Sequence, residues 1–142
     1  MADSLVKPRW LVVALDDRDI AEVEGPKSNG KIMSWVRDLA VPWITQFFKD
    51  DAVPWCALFM DHCLQKAEVA FLKTLAAADY MKYGVPLAAP ALGCILTFSR
   101  PGGNHVAFYL GEDAESYCVW GGNQSNKVGM TWIAKARCTS IR

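Results

Sequence analysis

Only two of the 142 residues are histidines, and fifteen basic side chains cancel fifteen acidic ones to a net charge of zero. Without a surplus of positive charge there is no footprint for a phosphate backbone, so no nucleic-acid partner is expected. No apolar run approaches the roughly 20 residues that cross a bilayer, so no membrane insertion is expected. The first ten residues hold no apolar core with a small-residue cleavage site, which argues against a signal peptide. Five cysteines are an odd number and too few for a disulfide scaffold at this length, which suits reduced thiols. The C-x2-4-C spacing of zinc sites is missing, and no metal is expected. A phosphate-binding GxxxxGK[ST] loop is missing too, so Gly102-Gly103 reads as a turn.

What the chain does have is apolar content. Hydrophobic residues make up 52% of it, which excludes disorder. Residues 1–142 are expected to form one domain with its own core.

The first half reads as helical. Pro8 suits a helix start, with Trp10, Leu11, Val13 and Ala14 as its apolar stripe. Residues 23–30 are dense in turn formers. Ile32, Trp35, Val36 and Leu39 recur at helical spacing, and Pro42 predicts an end near Ala40. A helix is expected from Pro54 to about Lys66, and another over residues 71–82. The second half changes to short strands at 94–99, 105–110 and 116–120, with edge strands at 127–133 and 136–141. Helices followed by an antiparallel meander make an α+β domain.

Cys56 is the first candidate for chemistry. With Pro54 at the first helical position, Cys56 falls third, where free amides and the helix dipole favour a thiolate. The competing reading is a small buried hydrophobe. His62 lies six residues along the same helix, a rotation of about 600°, and cannot touch Cys56; it reads as a surface histidine. His105 opens a strand after a glycine-rich turn. Alternation puts it on one face with Ala107 and Tyr109, from which it could reach a helix packed on the sheet. Cys63, Cys94, Cys118 and Cys138 read as structural. In Gly121-Gly-Asn-Gln124, glycines permit close approach and Asn123 and Gln124 offer amides to an imidazole or a substrate. Trp55 and Trp120 flank these elements.

Taken in order, Pro54-Trp-Cys-Ala-Leu-Phe, Gly93-Cys-Ile-Leu-Thr-Phe, Asn104-His-Val-Ala-Phe-Tyr-Leu-Gly111 and Gly121-Gly-Asn-Gln124 resemble the NlpC-type and CHAP amidohydrolases. These are papain-like bacterial and phage enzymes that cut amides in peptidoglycan. The resemblance spans about residues 8–137 and includes the Pro8-Arg-Trp-Leu start and residues 22–25. It implies a papain-like α+β fold with N-terminal helices on a C-terminal sheet. It implies Cys56 as nucleophile, His105 as base and Asn123 as the third, orienting residue. Trp55, Trp120 and Gln124 are then expected to contact substrate. Cys94 stands where the family often has aspartate, and Gly121 where some members have glutamate.

The implied reaction is hydrolysis of a cell-wall peptide amide through a thioester, by an amidase or endopeptidase, with no cofactor. Peptidoglycan is the implied partner, reached in the periplasm or wall after release by a phage or injection by a secretion system. An injected effector would also have an immunity protein. Two other readings remain: an inactive wall-binding or structural phage or secretion component, and a papain-like enzyme acting on a non-wall amide.

Overall fold

A computed structural model describes residues 6–23, 28–49 and 54–142. Residues 24–27 of the expected loop, and with them residues 24 and 25 of the resemblance, lie outside the described residues.

Among the described residues four α-helices precede a five-stranded antiparallel sheet, so the α+β expectation holds. Helix α1 spans Arg9–Asp16 and α2 spans Gly30–Leu39. The Asn29 side chain caps α2 by accepting from the Lys31 and Ile32 amides, the role for which a short amide side chain is suited. Helix α2 ends where Ala40 turns left-handed, as Pro42 predicted. Pro42 then opens a short helix that the sequence reading missed, α3, over Pro42–Phe47. Proline lacks the amide that a first turn cannot use, so one residue both stops and starts a helix.

Helix α4, Cys56–Lys66, is the centre of the molecule. Every residue from Cys56 to Leu64 is buried, including Asp61 and His62. A helix covered on all sides needs partners for its polar groups. His62 finds Asp17 at 2.8 Å and stacks on Trp35 with ring centroids 4.6 Å apart. The expectation of a surface histidine is therefore corrected: its partner lies 45 residues away and joins α1 to α4.

The helix expected over residues 71–82 forms only as a 3-10 turn, Ala77–Lys82. Asp61 explains the difference. Its carboxylate accepts from the Thr74 amide and from the Tyr80 hydroxyl, and the Thr74 hydroxyl donates to Asp79. Side-chain bonds to the backbone compete with helix formation, and here they win over residues 71–76. Burial pushes the Asp61 carboxyl up to about 7, against the hydrogen bonds from Tyr80 and Thr74 that pull it down.

The strands are β1 Ile95–Arg100, β2 Gly103–Glu112, β3 Ser116–Gln124, β4 Lys127–Ala134 and β5 Cys138–Ile141. Their order in the sheet is β4-β3-β2-β1-β5. The first four form the expected meander, and β5 returns to the free edge of β1. One sheet face carries Val106, Phe108 and Ile95 into the helical core. The other carries Leu96, Phe98, Ala107 and Val119 into a second, smaller core. Buried on both sides, the middle strands read as nearly continuous apolar runs.

Candidate active site

The N-terminus of α4 meets the sheet at β2 and β3. Trp55 takes the cap position and Cys56 is the first helical residue, two places earlier than expected, because Pro54 precedes the helix instead of opening it. The Cys56 sulfur lies among three backbone amides: that of Val106 on β2, and those of Ala57 and Cys56 itself. Burial pushes the thiol above its ordinary value, while the Val106 amide, the Arg100 charge and the two helix amides pull it down. Burial wins, so the resting group is a thiol and not the thiolate that helix position alone suggests.

His105 is one residue before Val106 and only 3% exposed. It shares its sheet face with Ala107, as alternation requires, since it pairs with Phe98 and Ala107 pairs with Leu96. The helices pack on the opposite face, through Val106 and Phe108. The expected route across the Ala107 face is thus corrected. The thiol reaches β2 at its backbone, beside the base, and no hydrogen bond joins sulfur to imidazole.

Gln124 fixes the imidazole. Its Oε1 lies 2.9 Å from His105 Nε2, and its own Nε2 donates to the Gly129 carbonyl. A carbonyl can only accept, so the amide nitrogen of Gln124 faces Gly129 and its oxygen faces His105. His105 Nε2 must then carry the proton, and Nδ1 keeps the lone pair. That Nδ1 is buried without any hydrogen-bond partner. Burial lowers His105 to about 4, with Arg100 and Arg137 also lowering it and the Gln124 hydrogen bond opposing them. The ring is neutral at pH 7 and able to take a proton at Nδ1.

Gln124 was expected on substrate and Asn123 on the imidazole; in the structure Gln124 is the residue on the imidazole, and Asn123 lines the cleft beside it. Pairing between β3 and β4 slips between Gly121 and Gln124, and Asn123 sits at φ 58°. A bulge re-aims the side chains that follow it. The two glycines let this happen. A Cβ on Gly121 would lie 3.0 Å from Ala107 Cβ and 3.1 Å from Gln124 Oε1. A Cβ on Gly122 would lie 2.6 Å from Phe59 Cβ and 2.9 Å from Trp55 Cε3.

The expectation for Trp55 is corrected as well. Trp55 is fully buried and its indole donates to Glu22, so it belongs to the core under the site. Trp120 is half-buried and donates to the Ala14 carbonyl at 2.7 Å, which ties β3 to α1. Asn123 and Gln124 do line a cleft of about 220 Å3, with His105, Arg100 and Arg137. A second cleft of about 520 Å3 runs from Pro54 and residues 75–78 to the β1–β2 turn, and Arg100 borders both. Arginine at this place was not anticipated; only its position at the end of a strand beside a glycine turn could have signalled it.

Among the described residues, the donors close enough to share a metal are Asp17, His62 and Cys63, whose ligand atoms lie within 4.8 Å of one another. The chemistry of that set is compatible with zinc. Lys31 and Lys66 line the same small cleft as Asp17 and His62 and oppose a cation there.

No protein-family model matches the chain, and no curated protein matches it.

Proposed function

We propose that the protein is a papain-like cysteine amidohydrolase that cuts an amide in the peptide part of peptidoglycan. One observation carries the reading. The Cys56 thiol, among amides at the start of α4, meets the backbone amide of Val106, and the residue before Val106 on that strand is a buried neutral imidazole, whose Nε2–H is held by Gln124 and whose Nδ1 is unpartnered. This is the division of labour that nucleophilic catalysis by a thiol needs.

In the proposed reaction His105 Nδ1 takes the Cys56 proton as the sulfur attacks the amide carbonyl. Catalytic hydrogen bonds that are long in the free enzyme tighten when substrate binds. The amides at the start of α4 stabilise the oxyanion in this reaction. His105 returns the proton to the leaving amine, and a thioester on Cys56 remains. Water, deprotonated by the same imidazole, hydrolyses it. Gln124 keeps one tautomer throughout. The peptidoglycan substrate rests on the resemblance of the four motifs, since a fold hosts many substrates.

The test is digestion of purified peptidoglycan by the wild type, Cys56→Ala and His105→Ala, with fragments read by mass spectrometry. New fragments from the wild type alone are expected, and their masses identify the bond. Fragments from Cys56→Ala as well would refute the thiol mechanism. No fragments from a fully reduced wild type would move the assignment to a non-wall amide or to an inactive wall-binding component.

A further inference from the structure

Resting on the thiol-hydrolase reading above, we infer that Arg100 and Arg137 form an anion subsite beside His105, and that the substrate carries a carboxylate next to the amide that is cut. Both arginines line the cleft that reaches the imidazole, and no acidic residue lines it with them. Arg137 is held in place by its Nε, which donates to the Ser99 carbonyl at 2.9 Å. That single bond leaves the outer nitrogens of the guanidinium unused. Neither arginine is ion-paired among the described residues, where the pairs are Arg9–Glu68, His62–Asp17 and Lys135–Glu112.

Two like charges facing one small cleft repel each other, and a bound anion relieves that repulsion. A guanidinium binds a carboxylate with two parallel hydrogen bonds, which sets direction as well as affinity. Ser125 and Thr131 add hydroxyl donors to the same walls. The charges already reach the chemistry, since Arg100 acts on both Cys56 and His105, and Arg137 acts on His105. Arg100 also borders the larger cleft beside Pro54. A neutral peptide would leave both cations unmatched.

Alkylation of Cys56 by iodoacetate and by iodoacetamide tests this without relying on hydrolysis. Each reagent forms an S–C bond and releases iodide; they differ in carrying a carboxylate or a neutral amide. The modified residue is assigned by peptide mass spectrometry, because the chain has five free cysteines. The iodoacetate to iodoacetamide rate ratio at Cys56 is expected to exceed that of free 2-mercaptoethanol roughly fivefold or more, and to shrink with added salt. It should fall to the free-thiol ratio in Arg100→Gln/Arg137→Gln and survive largely in Arg100→Lys/Arg137→Lys. The iodoacetamide rate reports whether each variant keeps a folded site. A wild-type ratio no higher than that of the free thiol, or one unmoved by the glutamine pair, overturns the subsite and leaves the hydrolase reading standing. A high ratio without peptidoglycan cleavage overturns the cell-wall substrate and keeps the anion site. Failure of both reagents to alkylate Cys56 overturns both.

Discussion

Replacing Gln124 by glutamate tests the tautomer argument at its source. The substitution keeps the length of the side chain and an oxygen 2.9 Å from His105 Nε2, but it exchanges a dipole for a charge. Opposite unit charges about 4 Å apart attract by about 4 kcal/mol at an effective dielectric constant of 20, or about three pKa units. Arg100 and Arg137 draw on the new carboxylate as well and reduce that figure. His105, held at about 4 in the wild type, is expected to titrate about two units higher in Gln124→Glu. The second consequence is structural. A carboxylate cannot donate to Gly129, so a buried carbonyl loses its partner, at a cost of about 1–3 kcal/mol. Stability against pH separates the two effects. In the wild type the folded-state pKa of His105 is depressed, so its contribution is present above the unfolded value near 6.5 and is lost as pH falls toward 4. In Gln124→Glu that acid loss should nearly vanish, while the overall melting temperature drops. An imidazole-detected NMR titration reads the pKa directly, and with only two histidines the spectrum is simple. If His105 in the variant still titrates near 4, the amide does not hold the ring as described, and the assignment of Nδ1 as base falls with it.

Three further outcomes follow from the packing and from the buried imidazole. Gly122→Ala should destabilise by about 1–3 kcal/mol or more, because its methyl meets Phe59 and Trp55, which are themselves wedged against Trp35; Gly129→Ala, with only the end of Lys127 3.9 Å away, should change denaturant stability by less than about 0.5 kcal/mol. Tyr80→Phe removes a donor to Asp61, so that carboxyl should rise above about 7, and a urea-measured loss of about 1–3 kcal/mol should be larger at pH 9 than at pH 5, where the acid is neutral. The acid limb of hydrolysis by the wild type should follow the His105 titration near 4, and a limb near 6.5 would show an imidazole far more solvated than this one.

The parts of this molecule that could be read from sequence are those governed by short-range rules. Proline and glycine punctuated the helices and turns, and alternation along residues 105–110 assigned His105 to the Ala107 face. What could not be read were the places where distant groups meet. His62 looks like a solvent residue until Asp17 is known to lie against it. Residues 71–76 have the periodicity of a helix, but Asp61 binds the Thr74 amide and Tyr80 hydroxyl and keeps the helix from forming. Which sheet face the helices choose is a packing outcome, and the larger Val106 and Phe108 won over Ala107.

The place of Gln124 on the imidazole, where Asn123 was expected, is the most instructive of these, because the sequence carries its signal. A regular strand through Gly121-Gly-Asn-Gln124 would direct Asn123 and Gln124 to opposite faces, so choosing one for the imidazole excludes the other. A one-residue slip reverses that choice for every side chain beyond it. Two successive glycines followed by asparagine, which tolerates a positive φ better than most residues, are the composition of a bulge. The close approaches show why glycine is required: Gly122 lets β3 settle onto Phe59 and Trp55, next to the start of α4, and Gly121 leaves room for Gln124 to fold back toward His105. The bulge therefore does two things at once. It lowers the strand onto the helix that carries Cys56, and it turns an amide long enough to span from Gly129 to the imidazole. Asparagine, one methylene shorter, could not make both bonds from the same backbone position, so Gln124→Asn should lose one of them even though its chemistry is the same.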